Sequence, residues 1–129
     1  MLDWAVIADD LTGAADTGIQ FLRVAPPVLL VDHRRIEAPA LQAAAPRTLA
    51  VFTTSRALPA DRARCAAAEA GRALGRLGTA RMYKKVASGL RGNIGPELEG
   101  VMDALGVPLS LIAPAFPDEC RRVLETLRE

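Results

Sequence analysis

Trp4-Ala5-Val6-Ile7-Ala8-Asp9-Asp10-Leu11-Thr12-Gly13-Ala14-Ala15-Asp16-Thr17-Gly18 is the stretch whose reading decides the fold. Its apolar run, residues 4–8, has the length of a strand buried on both faces, and two adjacent carboxylates, Asp9 and Asp10, end it. Thr12 and Gly13 offer a tight turn, after which Ala14, Ala15, Ile19, Phe21 and Leu22 follow a helical pattern. In an open α/β sheet ligands bind outside the carboxyl ends of the strands, so the paired acids are candidate site residues. The plainer alternative is that Asp10 or Thr12 only caps the helix.

The same alternation continues along the chain. Residues 28–31 form a second short apolar run ending at Asp32, with Pro26 and Pro27 marking the turn before it. Residues 48–52 form a third, leading into Thr53, Thr54, Ser55 and Arg56, and residues 80–85 and 109–113 a fourth and fifth. Between His33 and Pro46 there is no sustained period, which reads as a loop with room for one helical turn. Pro59 opens a helix to about Leu77, with Ala63, Ala67, Ala70, Leu74 and Leu77 on one face and Arg62, Arg64, Arg72 and Arg76 in solvent. The cleanest helix carries Ile94, Leu98, Val101, Met102 and Leu105 at steps of three and four, with Pro96 in its first turn and Gly106 as its stop. Residues 118–129 are charged and could form a short amphipathic helix through Val123, Leu124 and Leu127. This alternation predicts an α/β fold, a three-layer, mainly parallel, doubly wound (Rossmann-like) sheet of right-handed βαβ units.

At 129 residues, half of them apolar, the chain is about one domain long and can bury a core. Sixteen basic against fifteen acidic residues predict neither nucleic-acid nor membrane binding from bulk charge. The arginines of the 59–77 helix have no interleaved aromatics, which favours a wet face over a nucleic-acid stripe. Cys65, Cys120 and His33 are isolated, so no zinc spacing or disulfide framework is legible, and free thiols fit a reducing cytoplasm. Residues 24–31 are too short an apolar run to span a bilayer, and the N-terminus lacks the basic lead of a signal peptide.

Four loops should meet at one sheet edge: residues 9–13, 53–56, 84–93 and 114–117. They hold most of the Asp, Thr, Ser, Lys, Arg and Asn that could recognise a ligand. Arg91 beside the N–H groups of residues 92–95 would make an anion pocket at a helix start. Asp9 and Asp10 suit ligand hydroxyls. Together they describe a polyhydroxy acid. Alternatively Arg91 pairs with Glu97, Glu99 or Asp103 on the surface, and Asn93 caps its helix. Nucleotide signatures are missing: Gly13 and Gly18 have P-loop spacing, but Ile19 and Gln20 stand where Lys and Ser or Thr must follow.

Three motifs, residues 7–18, Tyr83-Lys84-Lys85 with Leu90-Arg91-Gly92-Asn93-Ile94-Gly95, and Ala113-Pro114-Ala115-Phe116-Pro117, resemble the N-terminal, substrate-binding domain of the four-carbon acid sugar kinase family. The resemblance runs over residues 3–117. It implies an ATP-dependent kinase of threonate, erythronate or 3-oxo-tetronate type acids, in which this domain holds the sugar acid and a C-terminal domain brings ATP and magnesium. By motif match, Asp9, Asp10, Thr12, Ser55, Arg56, Lys85, Ser88, Arg91, Gly92 and Asn93 line the substrate cleft; a catalytic residue is not identified and no metal ligand is expected. The chain departs from the family pattern at Ala87 and Gly89, where an acid and a threonine are usual, and at Phe52 and Thr54, where a polar and an acidic residue are usual. The expectation is a domain at 1–117, a truncated charged tail at 118–129, and no ATP-binding domain. Such a chain would be inactive alone, with no cofactor of its own and with a sugar acid and a separate ATP-binding domain as partners. A degenerate, non-catalytic small-molecule-binding domain or gene remnant is the alternative, and a magnesium-dependent phosphatase or receiver-like module a third, since paired acids after a first strand can hold that ion.

Overall fold

The computed structural model describes residues 2–116 and residue 118. Four strands, β1 (Trp4–Ala8), β2 (Val28–Asp32), β3 (Thr48–Phe52) and β4 (Arg81–Lys84), form an all-parallel sheet in the order β2-β3-β1-β4. The helices are α1 (Leu11–Phe21), α2 (Pro39–Ala44), α3 (Ala60–Arg76) and α4 (Ile94–Leu105), with a 3-10 turn at His33–Arg35. The alternating sequence thus yields the parallel α/β sheet its pattern predicts. β1 and β3 are central and almost wholly buried, which is why their sequences are continuously apolar.

Alternate residues of a strand face opposite sides, so each central strand supplies two cores. Ala5, Ile7, Leu49 and Val51 pack with Ala67, Ala70, Leu74 and Val101 under α3 and α4. Val6 and Ala50 pack with Phe21, Trp4 and Val28 under α1. β1 is therefore followed by a helix on one face and β3, its neighbour, leads to a helix on the other. Chain leaving neighbouring strands toward opposite faces opens a crevice at their carboxyl ends, where α/β sheets bind ligands.

Small residues bring α3 and α4 close together. A Cβ on Gly71 would lie 3.4 Å from Ala104 Cβ, and one on Gly100 would collide with the Arg64 carbonyl oxygen. α4 ends at Gly106, which takes the left-handed conformation at φ +64° that its stop position requires.

The expected fifth strand does not form. Residues 109–113 make no ladder, and Leu109, Leu111 and Ile112 are exposed. Apolar content marks a run that can be buried, but a strand exists only where a neighbour supplies ladder hydrogen bonds and a surface to pack on. Residues 114–116 accordingly follow no strand, residue 117 lies outside the described residues, and the loops after β1, β3 and β4 converge. The helix expected in residues 118–129 lies outside the described residues apart from Asp118. No helix among the described residues is long and apolar enough to cross a membrane.

Candidate functional site

The register places the ends of β1, β3 and β4 side by side. Ala8 is level with Phe52, Ile7 with Lys84, and the Lys85 N–H donates to the Ile7 carbonyl at 2.8 Å. The next residues of each strand, Asp9, Thr53 and Lys85, therefore start their loops at one edge. Thr53 N–H donates to Ala8 O at 3.0 Å and Ser55 N–H to Asp9 O at 2.9 Å, stitching the β3–α3 loop to the β1–α1 loop.

Arg56 occupies the centre of this edge. Its Nε and Nη2 donate to Asp9 Oδ2 and Oδ1 at 2.8 and 3.0 Å, and its Nη1 lies 2.8 Å from Asp10 Oδ2. Asp9 is buried, with a side chain 5% exposed, whereas Arg56 and Asp10 keep 32% and 29%. Burial pushes the Asp9 carboxyl up, but the hydrogen-bonded Arg56 guanidinium, its charge and the nearby Lys84 ammonium outweigh that and hold it below the usual carboxylate range. Asp9 reciprocally raises Arg56, through the hydrogen bonds first and its charge second. Asp10 is also the N-cap of α1, accepting the Gly13 N–H on Oδ1 at 2.9 Å. Capping and pairing with Arg56 are compatible because each carboxylate oxygen has two lone pairs.

The glycines of the edge make room for this clamp. A Cβ on Gly92 would stand 2.9 Å from Asp9 Oδ2 and 3.5 Å from Arg56 Cγ, and its φ of +92° favours glycine independently. A Cβ on Gly13 would stand 2.9 Å from Lys85 Nζ, so the Lys85 ammonium lies over the first turn of α1 beside Asp10. Thr54 has φ +54°, an uncommon conformation for a β-branched residue, and is exposed between two buried neighbours.

Beneath the edge runs a buried polar chain. Ser55 Oγ donates to Glu97 Oε1 at 2.6 Å and Thr53 Oγ1 to the Ala8 carbonyl at 3.1 Å, and the two hydroxyl oxygens lie 2.6 Å apart. Glu97 Oε2 pairs with Lys84 Nζ at 2.8 Å, and Lys84 Nζ also donates to Lys85 O at 3.0 Å. Lys84 and Glu97 side chains are only 7% and 2% exposed.

Of the residues expected from sequence, Asp9, Asp10, Ser55, Arg56, Lys85, Gly92 and Asn93 come together. Asn93 occupies the N-cap position of α4 but makes no side-chain cap bond; its Nδ2 donates instead to Leu58 O at 2.8 Å and lies 3.3 Å from Ser55 O. It ties the β3–α3 loop to α4. Thr12 is exposed on the first turn of α1, Ser88 is half-buried in the loop after β4, and Arg91 is exposed on the same loop. The surface pairing considered for Arg91 is not formed, since Glu97 pairs with Lys84 and both Glu99 and Asp103 pair with Arg64.

Lys84 and Glu97 were not expected at the site, although the sequence holds a signal for each. Glu97 stands three residues after Ile94 and four before Val101, so it lies on the apolar stripe of α4, where a carboxylate must find a partner. Lys84 shares a strand face with Met82, which packs on the α3–α4 core, while Lys85 follows on the opposite side.

Residues 4–126 match the family model of the sugar-binding N-terminal domain. The chain belongs to that family. Its similar relatives include D-threonate kinase of Salmonella typhimurium, 38% identical over 93% of this chain. D-erythronate kinase of Heliobacterium modesticaldum is 33% identical over 94%, and 3-oxo-tetronate kinase of Methylobacterium radiotolerans 34% identical over 92%. The chain spans 28% of the length of each of these three relatives. Among solved structures, a domain of unknown function from Bordetella bronchiseptica, a domain-swapped dimer with bound citrate, superposes with a TM-score of 0.72 at 34% identity. That match covers 80% of this chain and 26% of the other. The sugar-binding domain resemblance read from residues 7–18, 83–85 with 90–95, and 113–117 is therefore upheld, and it is the amino-terminal part of four-carbon acid sugar kinases that this chain is like.

Proposed function

We propose that this sugar-binding domain recognises a four-carbon sugar acid for an ATP-dependent kinase, with ATP and magnesium held by protein outside these 129 residues. The observation that carries the reading is the Asp9–Arg56–Asp10 clamp at the carboxyl edge of β1 and β3 in a domain of this family. Two of the five guanidinium N–H groups donate to Asp9 and Nη1 lies 2.8 Å from Asp10, and in this reading the N–H groups left over meet a ligand carboxylate. In this reading Asp9 holds Arg56, while Asp10, open to solvent, accepts from a ligand hydroxyl. Lys85 and Arg91 flank the position with further positive charge, and Thr12, Ser88, Gly92 and Asn93 complete the walls. The relatives named for threonate, erythronate and 3-oxo-tetronate, and the neighbour solved with citrate, all carry hydroxy- or oxo-carboxylates in their descriptions, which is the same ligand chemistry.

The edge does not suit a divalent cation. The Arg56 guanidinium fills the position between Asp9 and Asp10 that magnesium would need, and no cluster of three or more ligating side chains exists among the described residues. In this reading the residues here bind and orient an acid, and transfer of phosphate to its hydroxyl needs the part that holds ATP. The isolated chain should therefore not turn over ATP.

A binding domain without transfer is the second reading, favoured by buried Ala87, where the resemblance puts an acid. Both readings predict binding. Titrating the chain with D-threonate and D-erythronate by calorimetry should give a dissociation constant of about 1 mM, roughly −4 kcal/mol, because one charge-assisted pairing is incompletely shielded from water. Adding the carboxyl-terminal part of a kinase relative and ATP then separates them: phosphorylated acid supports the kinase reading, and binding without product supports the second.

A further inference from the structure

We infer that Glu97 is a positioning residue of the candidate site: its buried carboxylate, shared between Lys84 and Ser55, fixes the β3–α3 loop and so aims Arg56 at Asp9 and Asp10. The inference deepens the sugar-acid reading and rests on it for its ligand, though not for its geometry.

Arg56 is the second residue after an unusual one. Thr54 is exposed at φ +54°, a conformation that persists only where its surroundings impose it. The surroundings are visible. Thr53 and Ser55 on either side are buried and hydrogen-bonded, Thr53 N–H to Ala8 O, Ser55 N–H to Asp9 O and Ser55 Oγ to Glu97. Of these anchors, only the last reaches another layer of the fold. Glu97 lies on α4, four residues after Asn93, whose amide grips carbonyls of the same loop.

The geometry leaves Glu97 little freedom. One oxygen accepts from Ser55 at 2.6 Å and the other meets the Lys84 ammonium at 2.8 Å, with 2% of the side chain exposed. Buried ion pairs add little net stability compared with a well-packed apolar pair, but they fix geometry, because any displacement leaves a charge unpaired in a poorly solvated place. Here the displacement would move Ser55, and with it Arg56. Lys84 and Lys85 are consecutive, so the same pair also holds the chain from which Lys85 reaches α1. The Glu97 carboxylate thus links α4, β4 and the β3–α3 loop.

The test compares four forms of the 129-residue chain: wild type, Glu97→Gln, Ser55→Ala and Ile36→Ala. Ile36 is buried beside Leu2, Leu49 and Leu77 at the amino end of the sheet, so Ile36→Ala supplies a control that is destabilised away from the clamp. The first readout is hydrogen exchange of the Arg56 side-chain Nε–H by nitrogen-15 NMR, which needs no ligand. Loss of positioning should speed that exchange about tenfold or more in Glu97→Gln and Ser55→Ala, and weaken D-erythronate binding by about tenfold, against little change in Ile36→Ala. Should Glu97→Gln not fold, Ser55→Ala, which leaves the Lys84–Glu97 pair intact, decides alone. Exchange in Ser55→Ala no faster than in Ile36→Ala at a matched melting temperature overturns the inference. Absence of sugar-acid binding by wild type would count against the sugar-acid reading only, because the exchange measurement stands without it.

Discussion

Two arginine–carboxylate clusters in this protein use the same chemistry in different surroundings. At the sheet edge Arg56 meets Asp9 and Asp10, and on the outer face of the helix pair Arg64 meets Glu99 and Asp103 at 3.1 and 2.6 Å. The distances are similar. Asp9 is 5% exposed, however, whereas Glu99 and Asp103 keep 64% and 62%. Water screens the outer cluster and can solvate either partner alone. At the edge a carboxylate without its arginine would be stranded. Sheet topology produces this difference: neighbouring β1 and β3 send their loops into one crevice, and the crevice excludes water from Asp9.

The largest test of the contrast removes each arginine in turn. Arg56→Met should cost about 3 to 5 kcal/mol by leaving Asp9 buried and unpaired, toward the lower figure because Arg56 is itself a third exposed. Thermal denaturation near neutral pH measures it. The variant should also reverse the pH dependence. In wild type the Asp9 pKa is lowered, so its contribution is present above the unfolded value of about 3.9 and is lost as pH falls through the lower folded value. Without Arg56 the burial effect prevails, the folded pKa lies above the unfolded one, and stability declines as pH rises through it. A melting temperature that rises with pH equally in both forms would break the contrast.

A middle-sized effect should come from Gly100→Ala, about 1 to 3 kcal/mol, since the added methyl meets backbone of α3 and the helices must part. It should lower the melting temperature without altering the acid limb of the pH profile. The smallest belongs to Arg64→Ala, below about 1 kcal/mol and shrinking further with added salt. If Arg64→Ala matched Arg56→Met in a denaturant titration, burial would not be what separates the clusters.

Much of this was legible in the sequence, for identifiable reasons. Residues 4–8 and 48–52 read as strands because burial on both faces demands unbroken apolar runs, and Gly106 marked the end of α4 because its backbone needs φ above zero. Residues 109–113 misled because apolar content says that a segment can be buried without saying against what. The identity of the Asp9, Asp10 and Arg56 side chains was legible, but their pairing was not. It depends on β3 lying next to β1, and the order β2-β3-β1-β4 is a property of the assembled sheet. Glu97 read as a surface partner for Arg91, and the position of Lys84 beside it shows why a carboxylate can sit on an apolar stripe.

The most direct test of the account is a nitrogen-15 NMR titration of the chain with D-erythronate and D-threonate, following backbone amides and the Arg56 Nε–H together. The account predicts saturable shifts at Asp10, Arg56, Lys85 and Gly92, with half-saturation at about 1 mM, and the same shifts in an Arg72→Ala variant on the solvated face of α3. Shifts confined to α3, or a spectrum unchanged by roughly a hundredfold excess over that concentration, would contradict it.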